Sequence, residues 1–395
     1  MVKERNKPQK RTPRTYLAMD YGAHSIKLVV GIYQNEKLKI ASSVLLPLPI
    51  GIYENGMIND STRLAELIKS TLKQHKISEK NVVVTIESTE VIKREMSIPK
   101  VDESDRMDLI TYEVSQYLPI DVNNYVLQYK VIKEETQGER ELTHILLGAM
   151  PKEMVKLHFD TLKLAGLVPV AMDLHTNVLA KFVGLLKSNQ KSITSDSESQ
   201  KTTAFIDFGY ERIDINIMEG NVNKFNRILR MGISGIDQLI AETLNLPIEQ
   251  VESKRLKFSE DSMISLKKAY DAFKTLKEMH HYQDEDGIQL DESNISDENQ
   301  QRIRAIHDTF DYLYLCLEEV DKVFKYYLSR GLDIKIDQIV IYGGAAMNKD
   351  FNRFVQDRLD IPCYAFDVSQ YSALQIRNTQ ESSLKFINAF GALIR

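Results

Sequence analysis

Residues Thr202 to Met218, TTAFIDFGYERIDINIM, decide how the chain reads. Ala204, Phe205 and Ile206 form a short buried-strand run, Asp207-Phe208-Gly209 carries turn chemistry, and Ile213, Ile215 and Ile217 alternate as one face of a second strand. The expected product is a β-hairpin with a carboxylate at its tip. The same pattern recurs near the N-terminus, where Asp20-Tyr21-Gly22 follows Tyr16 to Met19 and precedes Ile26, Leu28 and Val30 in identical register. One Asp-x-Gly hairpin is an ordinary turn, because Gly supplies the positive φ and Asp bonds its own backbone. Two in matched register, each opening a half of the chain, predict two similar halves whose hairpins act together as a phosphate clamp.

A chain of 395 residues is too long for one ordinary core and fits two domains. Hydrophobic content of 43% with 27% charged residues is that of a soluble globular protein, and a net charge of -5 gives no nucleic-acid signature. Cys316 and Cys363 lie far apart without metal-ligand spacing, so neither a disulfide framework nor a zinc site is expected, and a reducing cytoplasm is the default. No segment reads as a bilayer span or a signal peptide.

Working outward, residues 1–15 read as a disordered, basic, proline-containing tail, most commonly a solvated terminus and functionally a weak attraction for anionic headgroups. Residues 16–87 read as a first-lobe core: strands to Leu46 with a turn at Asn35-Glu36, a helix over Ser61 to His75, and a buried strand over Val82 to Ile86. Residues 88–166 have the texture of a small α+β insertion: a strand over Val91 to Ile98, a helix over Asp102 to Leu118 stopped by Pro119, strands over Tyr125 to Ile132 and Leu142 to Ala149, and a helix over Lys152 to Ala165. Residues 167–186 complete the first lobe, 187–202 read as a flexible connection, and 203–386 as the second lobe. The second lobe contains an acidic loop over 283–298, read as solvated because it lacks the ligand alternation of a calcium loop, and a long helix over Gln301 to Leu328. A closing helix occupies 387–395.

Several places in the insertion carry a family likeness: Arg94 with Pro99, then Tyr112-Glu113-Val114-Ser115-Gln116-Tyr117-Leu118-Pro119-Ile120, then Met150-Pro151-Lys152-Glu153, then Ala165-Gly166-Leu167 and Asp173. Together they resemble the PilM family, the cytoplasmic actin-like components of type IV pilus assembly, and the resemblance runs over nearly the whole chain after the tail. It implies an α/β, two-lobed actin-like ATPase fold, a ribonuclease H-like unit duplicated, with an SHS2-like insertion in the first lobe. It also implies a scaffold at the inner face of the membrane that binds ATP and Mg²⁺ and captures the N-terminal peptide of a PilN-type membrane protein. Other cytoplasmic assembly proteins and self-association are open as further contacts, and no nucleic acid is expected.

The implied nucleotide site comprises Asp20, Gly22, Ser25 and Lys27 on the first hairpin and Asp207, Gly209 and Arg212 on the second. Gly232 and Gly235 of a Gly-rich turn, Glu252 and Arg255 near the ribose and base, and Gly343, Gly344 and Ala345 beside the adenosine complete it. Asp20 and Asp207 would hold Mg²⁺ through water. Spacing alone reads Glu252 and Arg255 equally well as an intrahelical ion pair. The chain departs from the family at Ala23, and at Arg212 and Ile213, where phosphate-contacting hydroxyls are usual, so turnover is expected to be very slow or absent, with no catalytic residue assigned. Arg212 reads either as a replacement charge or as a side chain turned to solvent or an acidic neighbour. The partner peptide is expected against Tyr117, Pro119 and Ile120, with Leu118 in the insertion's core. Two other classes share the core: an FtsA-like division protein, disfavoured because the sequence stops at Ala392-Leu393-Ile394-Arg395, and a small-molecule kinase, for which Asp173 at the lobe connection is the one nominated base.

Overall fold

The computed structural model describes residues 14–138, 140–188, 201–251, 267–268, 270–271, 297–348, 350–369, 371–377 and 382–395. Most of the tail, the connection, the acidic loop, Glu252 and Arg255 lie outside the described residues. In chain order the elements are β1 (Tyr16–Tyr21), β2 (Ser25–Gln34), β3 (Lys37–Pro47), β4 (Tyr53–Glu54), β5 (Met57–Ile58), α1 (Ser61–Gln74) and β6 (Asn81–Ile86). Then come β7 (Ile92–Pro99), α2 (Glu103–Tyr117), β8 (Tyr125–Gln137), β9 (Arg140–Pro151), α3 (Lys152–Leu164), β10 (Val168–Leu174) and α4 (His175–Ser188). The second half holds β11 (Thr202–Phe208), β12 (Ile213–Glu219), β13 (Val222–Leu229), α5 (Ile233–Leu244), α6 (Asp297–Leu328), β14 (Gln338–Tyr342), α7 (Phe351–Leu359), β15 (Cys363–Ala365), β16 (Leu374–Ile376) and α8 (Ile387–Ala392).

Two compact units emerge. One contains Tyr16–Leu28 and Leu45–His175, and the other contains Val29–Val44 and Thr176–Arg395, so β2 and β3 run from one unit into the other. In the first unit, β1 and β10 flank β6 in parallel. Leu17, Ala18 and Met19 on β1 and Val82, Val83 and Val84 on β6 are all fully buried. Such unbroken apolar runs, rather than alternation, mark strands covered on both faces.

The small sheet of the insertion is antiparallel, in the order β7-β9-β8. Its core is Ile98, Ile145 and Leu147 beneath Ile110, Val114 and Leu118 of α2 and its C-terminal cap. The helix stops where the sequence predicts. Leu118 precedes Pro119, and the proline ring bars its neighbour from helical backbone; Leu118 adopts φ -110 and ψ 136. Strands β8 and β9 extend well past the expected apolar segments and turn at Gly138, with φ +63. Lys133, Glu134 and Glu135 carry that extension, and paired backbone rather than burial sustains it. Helix α3 lies against α1, β5 and β10. From the buried face of α3, His158 packs edge-on against Tyr21 and Tyr53, with ring centroids 5.0 and 5.8 Å away.

The second unit holds a five-stranded sheet in the order β13-β12-β11-β14-β15. Ala204, Ile206 and Phe208 pack with Ile213, Ile215 and Ile217 beneath Phe310, Leu317, Val320 and Phe324 of α6. The alternation read in TTAFIDFGYERIDINIM is therefore the buried face of a hairpin in register from Thr202↔Glu219 to Phe208↔Ile213. Cys316 and Cys363 are buried free thiols, and burial raises both to about 12. Among the described residues no helix is long and apolar enough to cross a membrane.

The buried His158 yields a pH prediction. Burial depresses its imidazole from 6.5 to about 4, against a Nδ1 hydrogen bond to the Met154 carbonyl at 2.8 Å. Above 6.5 both states are neutral and nothing is lost. Between about 6.5 and 4 only the unfolded chain takes up the proton, so stability falls with pH by on the order of 3 kcal/mol from this group. Denaturant titrations at neutral and mildly acidic pH should show a smaller acid-induced loss in His158→Phe than in the wild type; equal losses would remove His158 as the cause.

Candidate functional site

The two hairpins close in the same way. Gly22 N–H donates to the Ser25 carbonyl at 3.1 Å, and Gly209 N–H donates to the Arg212 carbonyl at 2.9 Å. These are matched positions of the repeated pattern, so the duplication seen in sequence is also a duplication of backbone hydrogen bonding. The charges around each turn differ.

On the first hairpin, Asp20 is 2% exposed, with His175 Nε2 at 2.8 Å and Lys27 Nζ at 3.9 Å. A side chain at Gly22 would meet Lys27 Nζ at 2.9 Å, so the ammonium lies against the turn itself. Ser25 is buried. Asp20, Thr85 and Asp173 are lateral neighbours on β1, β6 and β10, at the C-terminal ends of three parallel strands. That end of an open α/β sheet is where ligands bind. The Thr85 hydroxyl, fully buried, has no hydrogen-bond partner among the described residues. Asp173 Oδ1 accepts from the Leu174 N–H at 2.9 Å, a local bond at the strand-to-helix junction.

On the second hairpin, Asp207 lies across from Asp214 on β12 and beside Tyr342 on β14. Carboxylate oxygens of Asp207 and Asp214 come within 4.8 Å. Asn388 of α8 donates to Asp207 Oδ2 at 3.4 Å. Gly343 has φ +83, and a Cβ there would fall 2.0 Å from Asp207 Oδ1, so the aspartate leans over bare backbone. Beside Gly344 a Cβ would meet only open space, and Ala345 begins a single 3-10 turn. The described residues thus bring Asp207, Gly209, Gly343 and Gly344 together around one strand end.

Arg212 turns inward: its Nε lies 3.3 Å from Asp214 Oδ2, and both side chains are largely buried. Of the two readings the sequence allowed, the acidic neighbour is the one occupied. Gly232 and Gly235 have close neighbours of their own. A Cβ on Gly232 would meet the Tyr210 carbonyl at 2.4 Å, and one on Gly235 the Tyr312 ring at 2.2 Å. The first N–H groups of α5 are already used, Ile233 donating to Gly209 O at 3.1 Å and Ser234 to Tyr210 O at 2.8 Å. The Gly-rich turn therefore braces the hairpin from behind.

A hard dication held through water needs oxygen donors that are not consumed by fixed cations. Asp207, which accepts from the neutral amide of Asn388, fits that chemistry better than Asp214, which is engaged by Arg212. Asp20 fits it less well, being enclosed by His175 and Lys27. Sequence reading overlooked His175, Thr85, Asp214 and Asn388. Only Asp214 had a local signal: it and Lys27 each lie seven residues after their hairpin's aspartate.

On the insertion, Tyr117 is 70% exposed while Leu118, at 8%, is in the core; Pro119 is exposed and Ile120 packs partly against the core.

These features define a two-lobed actin-like ATPase fold with a small α+β insertion. The PilM-PilN type IV pilus biogenesis complex is similar over 96% of this chain and 97% of that one, with a TM-score of 0.72 at 18% identity. Ethanolamine utilization protein EutJ from Carboxydothermus hydrogenoformans is similar over 97% and 90%, with a TM-score of 0.51 at 11% identity. The family model described as type IV pilus assembly protein PilM matches residues 18–270, and the chain belongs to that family.

The Asp207–Gly343 approach is testable. Gly343→Ala should destabilise the protein by about 2–4 kcal/mol through its positive φ and its overlap with Asp207. In an Asp207→Ala background only the backbone cost of about 1 kcal/mol should remain. Equal costs in both backgrounds, measured by denaturant unfolding, would show that the two residues do not share this space.

Proposed function

We propose that the protein is a nucleotide-binding scaffold of type IV pilus assembly that captures the N-terminal peptide of a PilN-type membrane protein and so works at the inner face of the membrane. The observation that carries the nucleotide half is the identical closure of the two Asp-x-Gly turns, Gly22 to Ser25 and Gly209 to Arg212. Those turns and Lys27 would meet the phosphates, and the bare backbone at Gly343 and Gly344 would lie beside the adenosine. Mg²⁺ would be held through water by Asp207, and would offset phosphate charge. Asp207→Ala should lose ATP binding by isothermal titration with its folding intact; unchanged affinity would refute the assignment.

Turnover is proposed to be negligible. Ala23 and Ile213 offer no hydroxyl to developing charge, and Arg212 is engaged with Asp214. A steady-state rate at or above about 1 s⁻¹, the low end of ordinary enzymes, would contradict this.

The peptide half rests on family membership and on Tyr117, whose exposed ring offers an apolar face and whose hydroxyl offers a hydrogen bond to a peptide backbone. Aromatic anchors of this kind dominate small interfaces. Titration of a PilN-type N-terminal peptide should show Tyr117→Ala binding at least about tenfold more weakly than wild type. Equal affinity would move the contact elsewhere on the insertion.

A further inference from the structure

At the uncovered edge of the first unit's parallel sheet, large aliphatic side chains stand in solvent with no local structural reason to do so. Leu164, at the end of α3, is 57% exposed, and Val168 and Val170 on β10 are 54% and 44% exposed. β10 is the terminal strand of its sheet. Its pairing with β6 shifts register between Pro169 and Ala171, which leaves Val170 as the extra residue of a bulge. Scattered exposed apolar residues need no explanation, but three within seven positions at one edge make a patch.

The surroundings of the patch are basic. Val168 N–H donates to the Lys80 carbonyl at 2.8 Å, which places the exposed Lys80 beside it. Exposed Lys73 and Lys76 lie at the end of α1, which packs alongside α3, and exposed Lys163 precedes Leu164. Two carboxylates lie among these lysines, Glu79, which keeps its charge, and Asp160, which is paired with lysines. Glu79 accepts from the Lys80 and Asn81 N–H groups at 2.9 Å each, and Asp160 is held by Lys156 at 2.9 Å and Lys163 at 3.9 Å. Lysines at helix ends are ordinary on dipole grounds. The helix dipole does not account for the aliphatic groups between them.

We infer that this edge is a docking surface for an anionic phospholipid bilayer. Leu164, Val168 and Val170 would enter the headgroup boundary while Lys73, Lys76 and Lys80 meet the lipid phosphates. An added β-strand is a poorer occupant. Pro169 has no N–H to offer a neighbouring strand, and the bulge bends the ladder that such a strand would have to follow. The contact is distinct from peptide capture at Tyr117 and independent of nucleotide.

The test is co-sedimentation of the full chain with phosphatidylglycerol-rich vesicles and with pure phosphatidylcholine vesicles, at low and high salt and without any partner peptide. All variants keep residues 1–15, so any pull from the basic tail is constant. Wild type should partition to the anionic vesicles, and Lys76→Glu/Lys80→Glu should lower that partition at low salt by about tenfold or more. Leu164→Ser/Val168→Thr should lower it several-fold at both salt concentrations, with the thermal midpoint of each exposed-site variant preserved. No anionic preference in the wild type, or wild-type partition in either double variant, overturns the assignment. So does self-association of the wild type without vesicles that Leu164→Ser/Val168→Thr abolishes, because the patch would then belong to a second copy of the chain.

Discussion

Both Asp-x-Gly turns depend on one backbone constraint, the closure that ties a glycine N–H to the carbonyl three residues later, Ser25 at the start of β2 and Arg212 just before β12. The bond fixes the hairpin so that the aspartate two residues earlier sits at a strand end. The following aliphatic positions then fall on one face of the returning strand. In the second unit the constraint extends further. Tyr210 and Gly209 carbonyls accept the first N–H groups of α5, and Gly232 can approach only because it has no side chain. The turn is fixed from both sides before any ligand is considered.

Charge separates the two copies of this device. Where the first hairpin sets Lys27 near Asp20, the second sets Asp214 across from Asp207 and balances it with Arg212. Each turn thus keeps a cationic and a carboxylate side chain together, with the residue types arranged differently.

The insertion follows a different logic. A three-stranded sheet buries one face under α2, and the proline after Leu118 ends that helix within one residue. The consequence is a sharp alternation along the chain, with Tyr117 outward and Leu118 inward. A helix running further would have carried the tyrosine's surroundings past the sheet. The same economy does not hold at β10, where a bulge and a proline leave aliphatic groups outward on the terminal strand of its sheet among the described residues.

The sequence by itself determined the duplicated hairpins, the buried run of β6, and the helix stop at Pro119. Each follows from local rules: residue periodicity, the conformational freedom of glycine, and the restriction before proline. Tertiary structure alone decided which groups meet at the strand ends. Thr85 and Asp173 reach the level of Asp20 through parallel pairing between strands distant in sequence, and His175 arrives at the helix start that follows. Asn388 comes to Asp207 from the far end of the chain. The roles of Gly232 and Gly235 were likewise set by what lies against them, a carbonyl and the ring of Tyr312, and no local pattern announces such neighbours. Periodicity specifies the face a residue occupies, whereas the identity of its neighbour depends on strand order, register and crossing helices.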